Sequence, residues 1–202
     1  DPFKKVLPII NKIINKTKIN FKFIDLGGGM GISYKKKEKQ INLKEYSKIV
    51  SKFIKNKNAQ IIFEPGRFII GNTGILITKV IYIKKSSGKN FIILDAGMND
   101  LMRPALYNAH HEIIPLKKTK KIMKGKIEFV GPVCESSDKF SNEKIFSQLK
   151  EGDYIALANV GAYGMSLSSN YNTRPTIAEV AVSGSNCKII KKRQSLESLI
   201  NN

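Results

Sequence analysis

The stretch IIFEPGRFII (residues 61–70) decides how the first third of this chain is read. Ile61, Ile62 and Phe63 make a short apolar run of the kind found in a strand covered on both faces. It runs directly into Glu64, Pro65, Gly66 and Arg67, after which the chain turns apolar again. Ionisable groups at the end of a buried parallel strand occupy the face where α/β barrels assemble their sites. There Gly66 can expose its backbone N–H, Arg67 can grip an anion and Glu64 can pair with a protonated ring nitrogen. The alternative is a Glu–Arg pair at a strand end on the surface.

The flanking sequence supplies the rest of an α/β unit. Residues 2–18 read as an amphipathic helix with Val6, Leu7, Ile9, Ile10, Ile13 and Ile14 as its apolar set. Asp1 is placed to cap it, and Pro2 suits a first helical turn. FKFIDLGGG (21–29) reads as a strand ending in three glycines, where backbone N–H groups can approach a phosphate with no Cβ in the way. The same triple also suits a tight turn that needs positive φ. KEYSKIVSKFIKN (44–56) is helical, with Tyr46, Ile49, Val50, Phe53 and Ile54 on one face, and AQIIFEPGR (59–67) is the next strand. Helix, strand, helix, strand at this spacing implies parallel strands. Two strands and two helices cannot cover both faces of a parallel sheet. The chain is therefore expected to be a fragment or to receive its missing strands from elsewhere, and the absence of an initial Met agrees with a fragment.

After about residue 72 the pattern changes. GILITKVIYIKK, KNFIILDAG, KGKIEFVG, DYIALAN and TIAEVAVSG are strand-like and separated by Gly, Asn, Ser or Lys turns, with one helical piece, NEKIFSQLK (142–150). This half reads as an antiparallel sheet or barrel. The boundary falls near residue 70, giving units 1–70 and 71–202, and the tail SLESLINN is a short helix or frays.

The formal charge of +19 raises the question of a nucleic-acid partner. Of 35 basic residues 31 are Lys, spread along the chain beside abundant Ile and Asn, a mix that looks like an AT-rich genome's codon bias. No aromatics interleave with them as a stacking platform requires, so nucleic-acid binding is not expected. No apolar run is long enough to span a bilayer and no signal peptide is apparent, so no membrane partner is expected. Cys134 and Cys187 lie far apart and form no metal spacing, which fits a reduced, cytoplasmic setting. In so Lys-rich a chain the four Arg stand out, because a planar fork can clamp a carboxylate or phosphate and a point charge cannot. Three of them lie in EPGR, MRPALY and NTRP.

DAGMNDLMRPALYNAHHEI (95–113) is dense in polar groups and reads as a loop, the kind of segment that carries function. Arg103 and Tyr107 are four apart, on one face of a helical turn. His110 and His111 read as ordinary loop polarity, without a third ligand for a metal. GPVCESSD (131–138) puts Cys134 and Glu135 on a turn, where Cys134 is a proton donor, a nucleophile or a small buried hydrophobe. GAYGMS (161–166) sets Tyr163 between two glycines, for function or for plain packing.

Taken together, DLGGG, EPGR, DAGMNDLMRPALY, GPVCES and GAYGMS resemble the diaminopimelate decarboxylase family in order and spacing. That family belongs to the pyridoxal-phosphate enzymes with an alanine-racemase-like barrel, and the resemblance covers at least residues 1–182. It implies a (β/α)8 TIM barrel, here only its last two strands and helices, followed by an antiparallel β-domain. It implies pyridoxal 5'-phosphate as cofactor and meso-2,6-diaminopimelate as substrate, converted to L-lysine and CO2 in the last step of lysine biosynthesis. Under it Gly28, Gly29, Gly66 and Arg67 cradle the phosphate, and Glu64 keeps the pyridine nitrogen protonated. Arg103, helped by Arg67 and Tyr107, holds the substrate's distal carboxylate, and Glu135 recognises the distal ammonium. Cys134 is the proton donor and Tyr163 lies near phosphate and substrate. Cys134 and Glu135 reach the partner subunit's site in a homodimer.

The imine-forming lysine of the family has no matching context here, so the chain alone is not expected to catalyse. His110 also departs from the aromatic residue usual in the family. A related ornithine, arginine or lysine decarboxylase is the nearest rival, against which the MRPALY segment and Cys134–Glu135 argue. A non-catalytic paralogue is the rival from another class.

Overall fold

The computed structural model describes residues 2–17, 19–35 and 38–201, so the capping role read for Asp1 lies outside the described residues. The chain divides into two compact units, Asp1–Ile69 and Ile70–Asn202.

In the first unit, α1 (Pro2–Thr17) and α2 (Leu43–Ile54) accompany two short parallel strands, β1 (Phe23–Asp25) and β2 (Gln60–Ile62). Asn42 caps α2, its side-chain oxygen accepting from the Glu45 N–H. Tyr46, Val50 and Phe53, spaced by four and three, form the buried stripe of α2. Leu7, Ile24 and Phe53 make a small core, against which Ile10, Ile14, Leu26, Ile49 and Ile61 pack. Within the apolar set of α1, only Leu7 is buried; Val6, Ile9 and Ile13 are exposed. The doubly covered strand expected at 61–63 is also not found. Ile61 packs on the helices, whereas Ile62 is 41 % exposed and Phe63 39 %. The side-chain period of a strand is two, and no described element of this unit packs on the second face.

A mixed six-stranded sheet dominates the second unit. The strands are β3 (Ile75–Ser86), β4 (Lys89–Leu94), β5 (Ile113–Pro115), β6 (Ile122–Val130), β7 (Lys139–Ser147) and β8 (Tyr154–Ala158), in the order β5-β8-β3-β4-β6-β7. Along β3, Leu76, Thr78 and Val80 point inward while Ile75, Ile77 and Ile81 are exposed, the alternation of a sheet with one covered face. Val80, Ile92, Leu94, Phe129, Ile155 and Leu157 form the fully buried centre. A separate antiparallel hairpin, β9 (Glu179–Ser183) with β10 (Asn186–Lys191), and a short helix follow.

Two expectations need correction here. The sheet is not purely antiparallel, because β4 and β6 pair in parallel from Lys89↔Lys126 to Ile93↔Val130. Parallel neighbours require a long crossover, and residues 95–121 are that crossover. The piece 142–150 is not helical. Residues 142–147 belong to β7, which pairs with β6 from Ile122↔Ser147 to Val130↔Lys139, and Phe146 meets Phe129 edge-on at 4.9 Å. Pairing with a neighbouring strand and burial of one face outweigh the helix preference of Glu143 and Lys144.

Candidate functional site

The candidate residues fall into two groups, one in each unit. In the first, the backbone after β1 runs beside the backbone after β2. The Leu26 N–H donates to Ile62 O at 3.0 Å and the Glu64 N–H to Gly27 O at 2.9 Å. The approach is so close that a Cβ on Gly28 would lie 2.8 Å from Glu64 O, so only glycine fits. Asp25 Oδ1 accepts from the Gly27 N–H at 2.7 Å and sets the turn. Gly66 begins the short helix α3 (Gly66–Ile70), and Arg67 is half-buried, its Nη2 3.9 Å from where a Cβ on Gly31 would stand. Gly28, Gly29, Glu64, Gly66 and Arg67 therefore gather at the C-terminal ends of β1 and β2. Among the described residues the ion pairs are Lys4–Glu45, Lys89–Glu128, Lys139–Glu128 and Arg174–Asp100. Glu64 and Arg67 take part in none of them, so the surface-pair reading has no support in the geometry.

In the second unit the crossover after β4 carries the chemistry. Its start is locked to β3: Asp95 Oδ1 accepts from Thr78 Oγ1 at 2.5 Å and from the Lys79 N–H at 2.8 Å. Asp100, buried, accepts from the Gly97 N–H at 2.9 Å and the Asn99 amide at 3.1 Å, closing the next turn. Arg174 straddles this turn, donating to Asn99 Oδ1 at 2.9 Å and Asp95 O at 2.6 Å. Burial pushes the Asp100 carboxyl above its ordinary range, against the Gly97 bond and the Arg174 charge.

Arg103 opens the short helix α4 (Arg103–Tyr107), with Pro104 in its first turn. Its residue is only 6 % exposed, unusual for a guanidinium. Its Nη1 lies 3.1 Å from His111 Nε2, and its guanidinium carbon is 6.0 Å from the centre of the Tyr163 ring. Tyr163 itself has φ 60° and is half-exposed. The turn bearing it is pressed against the backbone before β3: a Cβ on Gly161 would stand 2.0 Å from Ile70 O. Tyr107, at the far end of α4, is 62 % exposed.

The turn 131–138 holds Cys134 and Glu135, both exposed, which removes the buried-hydrophobe reading of Cys134. Asp138, buried, organises this turn. Its Oδ2 accepts from the Val133 N–H at 2.8 Å, and its Oδ1 accepts from the Met98 N–H at 2.7 Å. The turn of Cys134 and Glu135 is thereby fastened to the crossover five residues before Arg103. Burial raises the Asp138 carboxyl, opposed by the Val133 and Met98 hydrogen bonds. Glu135 Oε1 accepts from the Ser137 N–H and hydroxyl, each at 3.1 Å, and from the Ser136 hydroxyl at 3.2 Å. These bonds, led by the Ser137 N–H, hold its carboxyl below the ordinary range and keep it charged.

Sequence reasoning missed His111, Asp138, Asp100 and Asn99 as organisers. His111, read as loop polarity, is fully buried. For Asn99, Asp100 and His111 the only signal was the density of polar residues in 95–113; Asp138 lies outside it, at the end of GPVCESSD.

The family model for "Pyridoxal-dependent decarboxylase, C-terminal sheet domain" matches residues 15–161, and the chain belongs to that family. It is 41 % identical over 197 residues to the diaminopimelate decarboxylase of Aquifex aeolicus, covering 98 % of this chain and 46 % of that protein. Against the Helicobacter pylori diaminopimelate decarboxylase it is 44 % identical over 181 residues, 90 % of this chain and 44 % of the other. The crystal structure of a Helicobacter pylori diaminopimelate decarboxylase complexed with L-lysine superposes with TM-score 0.86 at 42 % identity, covering 98 % of this chain and 48 % of that one. The chain thus spans about half the length of the curated relatives it matches.

Proposed function

We propose that this chain is the C-terminal part of a pyridoxal-phosphate-dependent decarboxylase that converts meso-2,6-diaminopimelate to L-lysine and CO2. Residues 1–70 are then the last two strands and helices of a (β/α)8 barrel, and 71–202 the β-domain. The observation that carries the reading is the crossover 95–107, which holds a buried Arg103 beside Tyr163 and is fastened through Asp138 to the turn of Glu135. A substrate with a carboxylate and an ammonium at its far end needs a guanidinium fork for one and a carboxylate for the other. Glu135 is kept ionised for the second task.

The residues also fit the cofactor. Gly28 lies tight against the Glu64 backbone, Gly29 and Gly66 leave open space where a Cβ would stand, and the Arg67 guanidinium lies by Gly31. Gly28, Gly29, Gly66 and Arg67 would hold the phosphate, Tyr163 would stand by it, and Glu64 would pair with the ring nitrogen. Bound pyridoxal phosphate supplies an electron sink for the C–C bond that releases CO2. Arg103, with Arg67 and Tyr107, orients the distal carboxylate. Cys134 delivers its thiol proton to the carbon that CO2 leaves and regains one from solvent. In a cytoplasmic homodimer, Cys134 and Glu135 serve the partner's site.

The test is CO2 release by the full-length gene product loaded with pyridoxal phosphate, offered meso-diaminopimelate, ornithine, arginine and lysine. Strong preference for diaminopimelate is expected. Preference for another substrate overturns the roles of Arg103 and Glu135. No release from any substrate, with cofactor bound, favours the non-catalytic paralogue.

A further inference from the structure

His111 has no part in the chemistry above, yet it is fully buried between two groups of fixed hydrogen-bonding character. Nε2 lies 3.1 Å from Arg103 Nη1, and Nδ1 lies 2.9 Å from Ala158 O at the end of β8. A guanidinium only donates and a carbonyl oxygen only accepts. Both contacts are therefore hydrogen bonds in one protonation state alone: Nδ1 carries the proton and donates to Ala158 O, and bare Nε2 accepts from Arg103. The opposite tautomer sets N–H against N–H at one end and lone pair against lone pair at the other. An imidazolium keeps the Ala158 bond, but turns an N–H and a positive charge toward the guanidinium.

The backbone holds the ring in place. The Ala158 N–H donates to Glu112 O at 2.9 Å, and Ile113 pairs with Leu157, so residues 111–113 are zipped onto β8. Among the described residues, Arg103 on α4 and His110 beside it in the chain act on the ring electrostatically, both disfavouring its charged form.

We propose that His111 is a positioning residue, a neutral imidazole locked as the Nδ1–H tautomer that takes one N–H of Arg103 and sets the plane of its fork for the substrate's distal carboxylate. The inference rests on the reading of Arg103 as the carboxylate clamp. A long arginine side chain has several rotatable bonds, and bidentate recognition requires the fork to lie in the plane of the carboxylate. An acceptor on one edge of the guanidinium fixes that plane. A cation in the same place would repel Arg103, and a water could not be held as rigidly.

The experiment uses the full-length holoenzyme and two variants. His111→Phe keeps a flat ring but removes the acceptor, and KM for diaminopimelate is expected to rise about ten-fold or more, since hydrogen bonds to charged groups are the strong class. kcat should change less, and pyridoxal-phosphate loading should be unchanged. His111→Gln, which retains an acceptor and a donor, should recover most of the loss. An unchanged KM in His111→Phe, while Arg103→Ala raises it, overturns the positioning role. An unchanged KM in Arg103→Ala instead overturns the clamp reading on which the proposal rests. Independently of activity, nitrogen NMR of the histidine rings reports the tautomer, with His110→Gln used to assign the signals. A protonated Nδ1 and bare Nε2 at neutral pH are expected. An Nε2–H tautomer or an imidazolium refutes the proposal even where His111→Phe fails to fold.

Discussion

Arg103 shows how much of a residue's role depends on what surrounds it. A lysine at this position would retain the charge, but its single ammonium cannot reproduce a planar fork that bonds His111 and a carboxylate together. Arg103→Lys is therefore expected to raise KM for diaminopimelate by about ten-fold or more with cofactor loading intact, measured by steady-state kinetics and cofactor absorbance. His111 also sets a pH dependence. Burial lowers its pKa below the ordinary 6.5, so below that pH the unfolded chain binds a proton that the folded protein does not. Stability from this residue then falls as pH falls through 6.5 toward the lower folded value. The denaturant midpoint should drop between about pH 7 and pH 5.5, and His111→Gln should remove that part of the slope. A midpoint independent of pH in this range would count against a buried neutral His111. Asp100 and Asp138 act in the opposite direction at lower pH. Their raised carboxyls bind protons more tightly when folded, so their contribution declines as pH rises above 3.8.

At the scale of elements, the turn 160–164 is held by close backbone contacts, the Val160 N–H donating to Gly74 O at 3.0 Å and the Gly161 N–H to Gly71 O at 3.1 Å. Gly161 packs on the chain before β3 with no room for a methyl group, and the atom in the way is the Ile70 carbonyl, which cannot swing aside as a side chain can. Gly161→Ala should cost about 2–3 kcal/mol of unfolding free energy and displace Tyr163. A variant as stable as the parent in urea would mean that the turn relaxes freely. The turn 131–138 depends similarly on Asp138, whose two oxygens each receive one backbone N–H, from Val133 and Met98. β7 teaches a different lesson. Residues 142–150 have helix-like composition, but they sit where β6 offers an unpaired edge, and the ladder with β6 claims residues 142–147.

For the whole molecule, the proposed sharing of Cys134 and Glu135 between subunits gives a direct test. Each of Cys134→Ala and Arg103→Ala should be nearly inactive alone. A dimer formed from one chain of each keeps one intact site if the two residues serve different chains' centres. Random mixing should then restore about a quarter of the parental rate of CO2 release. No recovery after subunit exchange, with mixed dimers present, would place both residues in one chain's site. The large positive charge predicts nothing comparable, since its lysines are spread along the chain.

Local chemistry by itself determined the strands with clear period and turn signals, the buried stripe of α2 and the unusual segments EPGR, MRPALY, GPVCES and GAYGMS. These are legible because side-chain period, glycine and proline act over a few residues. Composition likewise singled out Arg103, one of four arginines in a Lys-rich chain. Only the tertiary structure decided that β4 and β6 run parallel, that 142–147 is a strand, and that one face of 61–63 is open. It alone decided that His111 is a buried acceptor for Arg103 and that Asp138 ties two distant loops together. Pairing, burial and desolvation depend on residues far away along the chain, and no local pattern encodes which neighbour a buried polar group will meet.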